Sequence, residues 1–213
     1  RQAVESGAVD CALAVGFEQM QRGALSSHWD DRTSPFESFD EKTAELVGHD
    51  ELPLALRYFG GAGKAHMDKY GTELRDFARV RAKASRHAVN NPLALFRNEM
   101  TEQDVMDAQV IWPGVMTRLM ACPPTCGAAA AVIVSENFAN KHGLRTDVKI
   151  AGQVMTTDTP STFDANNMMQ VVGYDMTAAG AKQLYEQTGL GAEEMDVVEL
   201  HDCFAHNELI TYE

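Results

Sequence analysis

Apolar and polar positions fall into two regimes along this chain. Val9 to Val15 and Ala128 to Val134 are short, continuous apolar runs. That pattern fits strands buried on both faces. Residues 1–9 read as the end of a helix, stopped at Gly7. From about Arg22 to Val47 the pattern is polar and irregular, with Pro35 inside it, and reads as loop. Leu52 to Tyr70 is helix-compatible but interrupted by Gly60-Gly61-Ala62-Gly63. Gly71 ends that helix, and Thr72 caps a second one running to about Ala88. Asn90-Asn91-Pro92 breaks it. Thr101 and Asp104 have the spacing of a capping box for a short helix.

Beyond the second apolar run the regimes alternate. Ser135 caps a helix that ends at Gly143, and Val148 to Met155 reads as a strand. Thr177 to Gln187 is a helix stopped by Gly189, and Asp196 to Leu200 is a further strand. Strand and helix alternating at this spacing place the chain in the α/β class. The helix-and-loop stretch between the two apolar runs is too long for an ordinary connection and reads as a functional insertion.

Composition narrows the possible partners. The 213 residues are 45% hydrophobic, enough for a sizeable core, and length alone allows one or two domains. A formal charge of −13 argues against nucleic acid or an anionic membrane surface as a general partner. No apolar run reaches the roughly 18 residues of a membrane span. The four cysteines are Cys11, Cys122, Cys126 and Cys203. Cys122 and Cys126 have a ligand-like gap but no second pair and no nearby His, so no metal site is expected. Unpaired thiols fit a reducing, intracellular setting.

Two groups of residues carry chemistry. Val197 to Leu200 leads into His201-Asp202-Cys203-Phe204-Ala205-His206-Asn207-Glu208. A thiol, an imidazole and a carboxylate at the carboxyl end of a strand can do acid–base or nucleophilic work. The same residues also fit a structural corner with a buried Cys and a solvated His. Cys203 stands just before a predicted helix N-terminus, where the dipole favours a thiolate. Glu208 reads as a supporting or helix-surface group.

The second group is Arg75, Arg79, Lys83 and Arg86, at steps of four, four and three, with only Asp76 opposing. Those steps put the cations on one helix face. In an acidic protein such a face suits a phosphate, although a solvated surface helix has the same pattern. Gly60 to Lys64 is not a Walker loop, because it lacks the first glycine and the hydroxyl residue after Lys. It suits close helix packing or the approach of a ligand arm.

These motifs together resemble a family. His201-Asp202-Cys203-Phe204 followed by Asn207-Glu208-Leu209 resembles the signature of thiolases of the sterol-carrier-protein type. Gly16-Phe17-Glu18-Gln19-Met20, Asp31-Arg32-Thr33, Phe59 to Lys64, His87 to Pro92 and Cys122-Pro123 through Ala130 match its other motifs in order. The resemblance implies an α/β thiolase-like fold of stacked mixed sheets with helices, held here in part, with a helical loop-domain insertion. Residues 1–21 would end the N-terminal half, 22–120 form the loop domain, 121–142 supply the last strand of that half and its helix, and 143–213 start the C-terminal half.

The implied activity is acyl transfer on acyl-coenzyme A: thiolysis of a 3-ketoacyl chain or its reverse. Coenzyme A would be a substrate, with no resident cofactor. Cys203 would act as acid/base, and His201 would donate to the thioester or enolate oxygen. Met20 would line the pantetheine tunnel, and Arg75, Arg79, Lys83 and Arg86 would hold phosphates. Cys126 stands where the family commonly has Asp, and His206 where it has a small hydroxyl residue, so neither receives a role. The family's nucleophilic Cys turn and its Gly-His-Pro motif would lie before residue 1 and after residue 213. The expectation is therefore the middle of a thiolase, inactive alone. The rivals are a steroid side-chain aldolase working with a partner protein and a non-catalytic acyl-coenzyme A or lipid binder. Family members are dimers or tetramers, in the bacterial cytoplasm or the peroxisome.

Overall fold

The computed structural model of the chain describes residues 1–21, 31–48 and 52–213. In order it contains α1 (Gln2–Glu5), β1 (Cys11–Gln19), α2 (Glu37–Val47), α3 (Leu54–Tyr70) and α4 (Leu74–Ala88). There follow α5 (Glu102–Met106), β2 (Val110–Trp112), β3 (Met116–Thr117), β4 (Cys126–Val134) and α6 (Glu136–His142). The last elements are α7 (Ser161–Asp164), α8 (Met168–Val171), α9 (Tyr174–Thr188) and α10 (Ala205–Thr211).

The chain forms two compact bodies. The first gathers Arg1–Arg22, Pro124–Met155 and Gly180–Glu194. Its centre is an antiparallel ribbon in which β1 pairs with β4 from Cys11↔Val134 to Gln19↔Cys126. The register puts Leu13 opposite Val132 and Phe17 opposite Ala128 on one face. Ala14 opposite Ala131 and Gly16 opposite Ala129 form the other. Both apolar runs are therefore strands, as their pattern predicts. They are not buried: Phe17 is 82% exposed and Val132 66%. Only Ala12, Ile133 and Val134, at one end of the ribbon, are partly covered, and among the described residues of this body only Ala139 and Gly180 are buried. Ser135 caps α6 by accepting a hydrogen bond from the Phe138 N–H at 3.1 Å, and Gly143 closes it at φ +63°.

The second body gathers Gly23–Pro123, Thr156–Ala179 and Met195–Glu213. Its main core joins Phe77, Ala78 and Val80 of α4 to Val105, Met116, Met120, Phe204 and Ala205. A second cluster joins Ala62 of α3 to Met168, Met169 and Val171 of α8 and Ile210 of α10. Helix α3 runs unbroken through its glycines, contrary to the expected interruption. Each glycine is a point of close approach. A Cβ on Gly60 would stand 2.6 Å from the Trp112 ring, on Gly61 3.0 Å from Met168, and on Gly63 2.2 Å from the His206 ring. Tertiary packing here outweighs helix propensity.

Other expectations change. Helix α2 occupies part of the segment read as loop, and residues 22–30 of that segment lie outside the described residues. Phe39, Thr43, Leu46 and Val47 share one face of α2, and Phe39 meets Phe163 with ring centroids 5.0 Å apart. That helical period was hidden by the surrounding Ser, Asp and Pro. Thr72 does not cap α4; its hydroxyl is engaged with Nδ1 of His66 at 2.7 Å. Glu73 is the N-cap, and its N–H donates to Asp76 at 2.9 Å. Gly71 does end α3, at φ +73°. The box at Thr101 and Asp104 caps α5. Residues 148–155 and 196–200 are not strands. Val148 is 82% exposed and Val197 84%; no ladder partner pairs with them among the described residues. An apolar run becomes a strand only when another edge supplies its hydrogen bonds.

Candidate active site

The segment leading into α10 is fixed by backbone before any side chain matters. Ala121 and Phe204 form an antiparallel bridge, and the Cys122 N–H donates to the Cys203 carbonyl at 2.9 Å. Phe204 is buried and stacks on Phe59 at 4.6 Å. The Asn207 side-chain amide donates back to the His201 carbonyl at 2.9 Å. Those contacts hold His201, Asp202 and Cys203 in one fixed turn. The side chains of His201 and Asp202 are exposed, and Cys203 is half-buried.

The Cys203 thiol is not the thiolate that its position before a helix suggests. Burial, followed by the neighbouring Cys122, pushes its pKa up to about 11, against weaker help from the Phe204 and Cys203 backbone. Helix α10 has only seven residues, and Phe204, not Cys203, is its N-cap. Desolvation therefore outweighs the dipole. At neutral pH Cys203 carries its proton and is poised as an acid. Burial also raises Cys122. Asp202 is exposed by area, yet desolvation, then the charge of Glu208, lifts its carboxyl above the usual range.

One turn further on, two side chains without an assigned role prove to be buried. His206 is fully buried, with Nε2 donating to the Val115 carbonyl at 2.8 Å and its ring 4.2 Å from that of Phe77. Burial lowers its pKa to about 4, so it is neutral. It sits in the groove that Gly63 leaves open. Glu208 is not a helix-surface group; it is 3% exposed and accepts from both the Lys83 ammonium and the Tyr212 hydroxyl.

The cations do share one face of α4, but Asp76 is not their sole opponent. Arg79 bonds Asp76 at 2.9 Å and lies 3.4 Å from Glu102, which Arg75 approaches at 3.9 Å. Lys83 is engaged by Glu208 and Tyr212; desolvation opposes its charge, and these partners raise its pKa despite it. Arg86 is exposed, with no ion pair among the described residues. Arg79, Lys83 and Arg86 line an open cavity of about 570 Å³ that Asp76 and Glu102 also line; Arg75 stands outside it. Distant acidic partners of this kind are invisible in a helical wheel. Met20 belongs to the other body, where its carbonyl accepts from the Cys126 thiol at 3.8 Å. Among the described residues no cluster of three or more His, Cys, Asp or Glu could hold a metal, and no helix is long and apolar enough to cross a membrane.

No family model matches the chain. It is 42% identical over 214 residues to sterol carrier protein 2 of Rattus norvegicus, covering all of this chain and 39% of that protein. It is 40% identical over 219 residues to non-specific lipid-transfer protein-like 2 of Caenorhabditis elegans, covering all of this chain and 53% of that one. Benzoylsuccinyl-CoA thiolase subunit BbsB of Thauera aromatica is 34% identical over 148 residues, 70% of this chain and 37% of that protein. The chain thus spans about half or less of the length of these relatives. Among solved structures, the Ltp2-ChsH2(DUF35) aldolase superposes with a TM-score of 0.73 at 19% identity, over 99% of this chain and 52% of that one. The fold is mixed α/β and thiolase-like. The chain belongs to the sterol-carrier-protein type of thiolase-like proteins and corresponds to a part of them.

Proposed function

We propose that this chain supplies the proton-transfer corner of a thiolase-type acyltransferase acting on lipid acyl thioesters. The observation that carries the reading is Cys203. Its thiol is protonated at neutral pH, and a backbone bridge pins it two residues from the exposed imidazole of His201. A fixed, protonated thiol is a proton donor. When the Cα–Cβ bond of a 3-ketoacyl-coenzyme A breaks, Cys203 would protonate the departing enolate carbon. In the reverse direction its thiolate would take that proton back, so acid and base roles alternate in one group. His201 would donate to the oxygen that gains charge, a contribution of about 2.7–4 kcal/mol when preorganised. The acyl-accepting Cys of the family's Cys-x-Ser/Gly turn is not among the 213 residues. Relatives whose names include a thiolase subunit and an acetyl-CoA acetyltransferase support the reaction class.

Coenzyme A would be a substrate. Its phosphates would meet Arg86, which is unengaged among the described residues, and then Arg79, Lys83 and Arg75 in competition with Glu102 and Glu208. Met20 would face the pantetheine arm. Residues 22–120 would act as a loop domain between the two halves of the parent fold, in a dimer or tetramer of the cytoplasm or peroxisome.

The test is thiolysis of 3-ketoacyl-coenzyme A by a polypeptide that also carries the Cys turn and the Gly-His-Pro motif. Cys203→Ala should cut turnover by about 10²–10⁴-fold with little change in substrate affinity. Unchanged turnover would remove Cys203 from the chemistry. The 213 residues by themselves should not turn over acetoacetyl-coenzyme A, and measured turnover would overturn the assignment of an outside nucleophile. Retro-aldol cleavage dependent on a partner protein, without thiolysis, would replace the reading by a steroid side-chain aldolase.

A further inference from the structure

We propose that Cys122 and Cys203 form a built-in thiol pair that closes to a disulfide under hydroperoxide and thereby withdraws the Cys203 proton. The pairing follows from backbone register. Ala121 bridges Phe204 in antiparallel sense, so the next residue on one side, Cys122, lies opposite the preceding residue on the other, Cys203. The Cys122 N–H to Cys203 carbonyl bond at 2.9 Å confirms that register. Directly opposed residues in an antiparallel pair have Cα atoms about 4.5–5.5 Å apart and side chains on a common face. A disulfide accepts about 4.4–6.8 Å. The two sulfurs also sense each other, since Cys122 is the second cause of the raised Cys203 pKa. The stack of Phe204 on Phe59 holds one side of the pair in place.

The remaining cysteines do not compete for one another. Cys11 and Cys126 sit at opposite ends of the β1–β4 ribbon. Cys122 is exposed and Cys203 half-buried, so Cys122 is the point of attack. Its thiolate attacks one peroxide oxygen, the O–O bond breaks, and hydroxide leaves, giving a sulfenic acid at Cys122. The Cys203 thiolate then attacks that sulfur; the S–S bond forms and the S–O bond breaks. Two thiols lose two protons and two electrons, and one hydrogen peroxide becomes two waters. Because burial raises both thiols, closure is slow at neutral pH and accelerates as pH rises. Pair formation stands on geometry alone; only its consequence for proton transfer rests on the function proposed above.

The experiment is hydrogen peroxide treatment of the chain at mildly alkaline pH, alkylation of remaining thiols, and digestion without reductant. The expected product is a linked peptide pair containing Cys122 and Cys203, two hydrogens lighter than its parts and released by dithiothreitol. Cys122→Ser should leave Cys203 fully open to alkylation. Cys203→Ser should let dimedone trap the Cys122 sulfenic acid. Linkage of either thiol to Cys11 or Cys126, or full alkylation of Cys203 after oxidant, would overturn the pairing. If Cys203→Ala leaves thiolysis intact while the unsubstituted chain still gives the linked peptide, the proposed function fails and the thiol pair stands.

Discussion

Both bodies leave some apolar side chains exposed, but they differ in what they bury. In the first, apolar side chains stand in water: Phe17, Leu13, Val15 and Val132 are all more than half exposed. In the second, polar side chains are buried: His206 at 0%, His66 at 2% and Glu208 at 3% exposed. His206 and Glu208 are held by partners 91 and 125 residues away, the Val115 carbonyl and Lys83, and His66 by its near neighbour Thr72. The helical body therefore has a core that specifies itself, and the ribbon does not. A ribbon of two strands, apolar on both faces, is a pattern suited to covering layers on both sides.

Four measurements test that contrast, beginning with the largest effect. Phe77→Ala, in the centre of the helical core, should cost about 3–5 kcal/mol in urea unfolding. A loss under 1 kcal/mol would mean that the core is not cooperative. Second is acid. The folded pKa of His206, about 4, lies below its ordinary 6.5. Between those values the unfolded chain binds the extra proton, so stability is full above pH 6.5 and falls as pH drops toward 4. At about 1.36 kcal/mol per unit, the loss is about 3 kcal/mol. A chemical-shift titration of His206 should show a midpoint near 4; a midpoint near 6.5 would contradict its burial.

Third, Gly63→Ala gains about 1 kcal/mol of helix propensity but overlaps a ring held by the Val115 carbonyl. The net result should be a loss of about 1–3 kcal/mol. Stabilisation would show that His206 has room to move. Smallest is Phe17→Ser in the ribbon. With 82% of Phe17 exposed, unfolding stability should change by no more than about 0.5 kcal/mol. A loss comparable to that of Phe77→Ala would remove the distinction between the bodies.

What could be read from the chain follows the same division. Helices α4, α5, α6 and α9 were legible because their caps and stops are local: Asn90-Asn91-Pro92, the Thr101–Asp104 box, Ser135 with Gly143, and Gly189. Residues 148–155 and 196–200 were misread because a strand needs a partner that its own residues do not encode. In the site, His201 and Cys203 stood out by type and spacing. The protonation of Cys203 did not, since it depends on what buries the thiol. His206 and Glu208 stood in the motif, but their burial could not be read from it, because the groups they pack against, Gly63 and Lys83, lie more than a hundred residues earlier. The one local signal was the glycine-rich stretch inside an otherwise regular helical pattern, which marked a surface that something must approach.

That stretch also bears on how the helical body is acquired. Three glycines in the interior of α3 weaken it by about 3 kcal/mol relative to alanine. A peptide of Leu54–Tyr70 alone would be largely coil, because a nucleus costs more than such a sequence returns. The helix becomes worth forming only when Trp112, Met168 and His206 arrive to fill its grooves. The last of these is 143 residues beyond Gly63 (206 − 63). Docking across that separation closes a long loop before it is rewarded, which slows the search. Helix α3, early in the chain, would be among the last elements to set, and synthesis would have to pass α10 before it could.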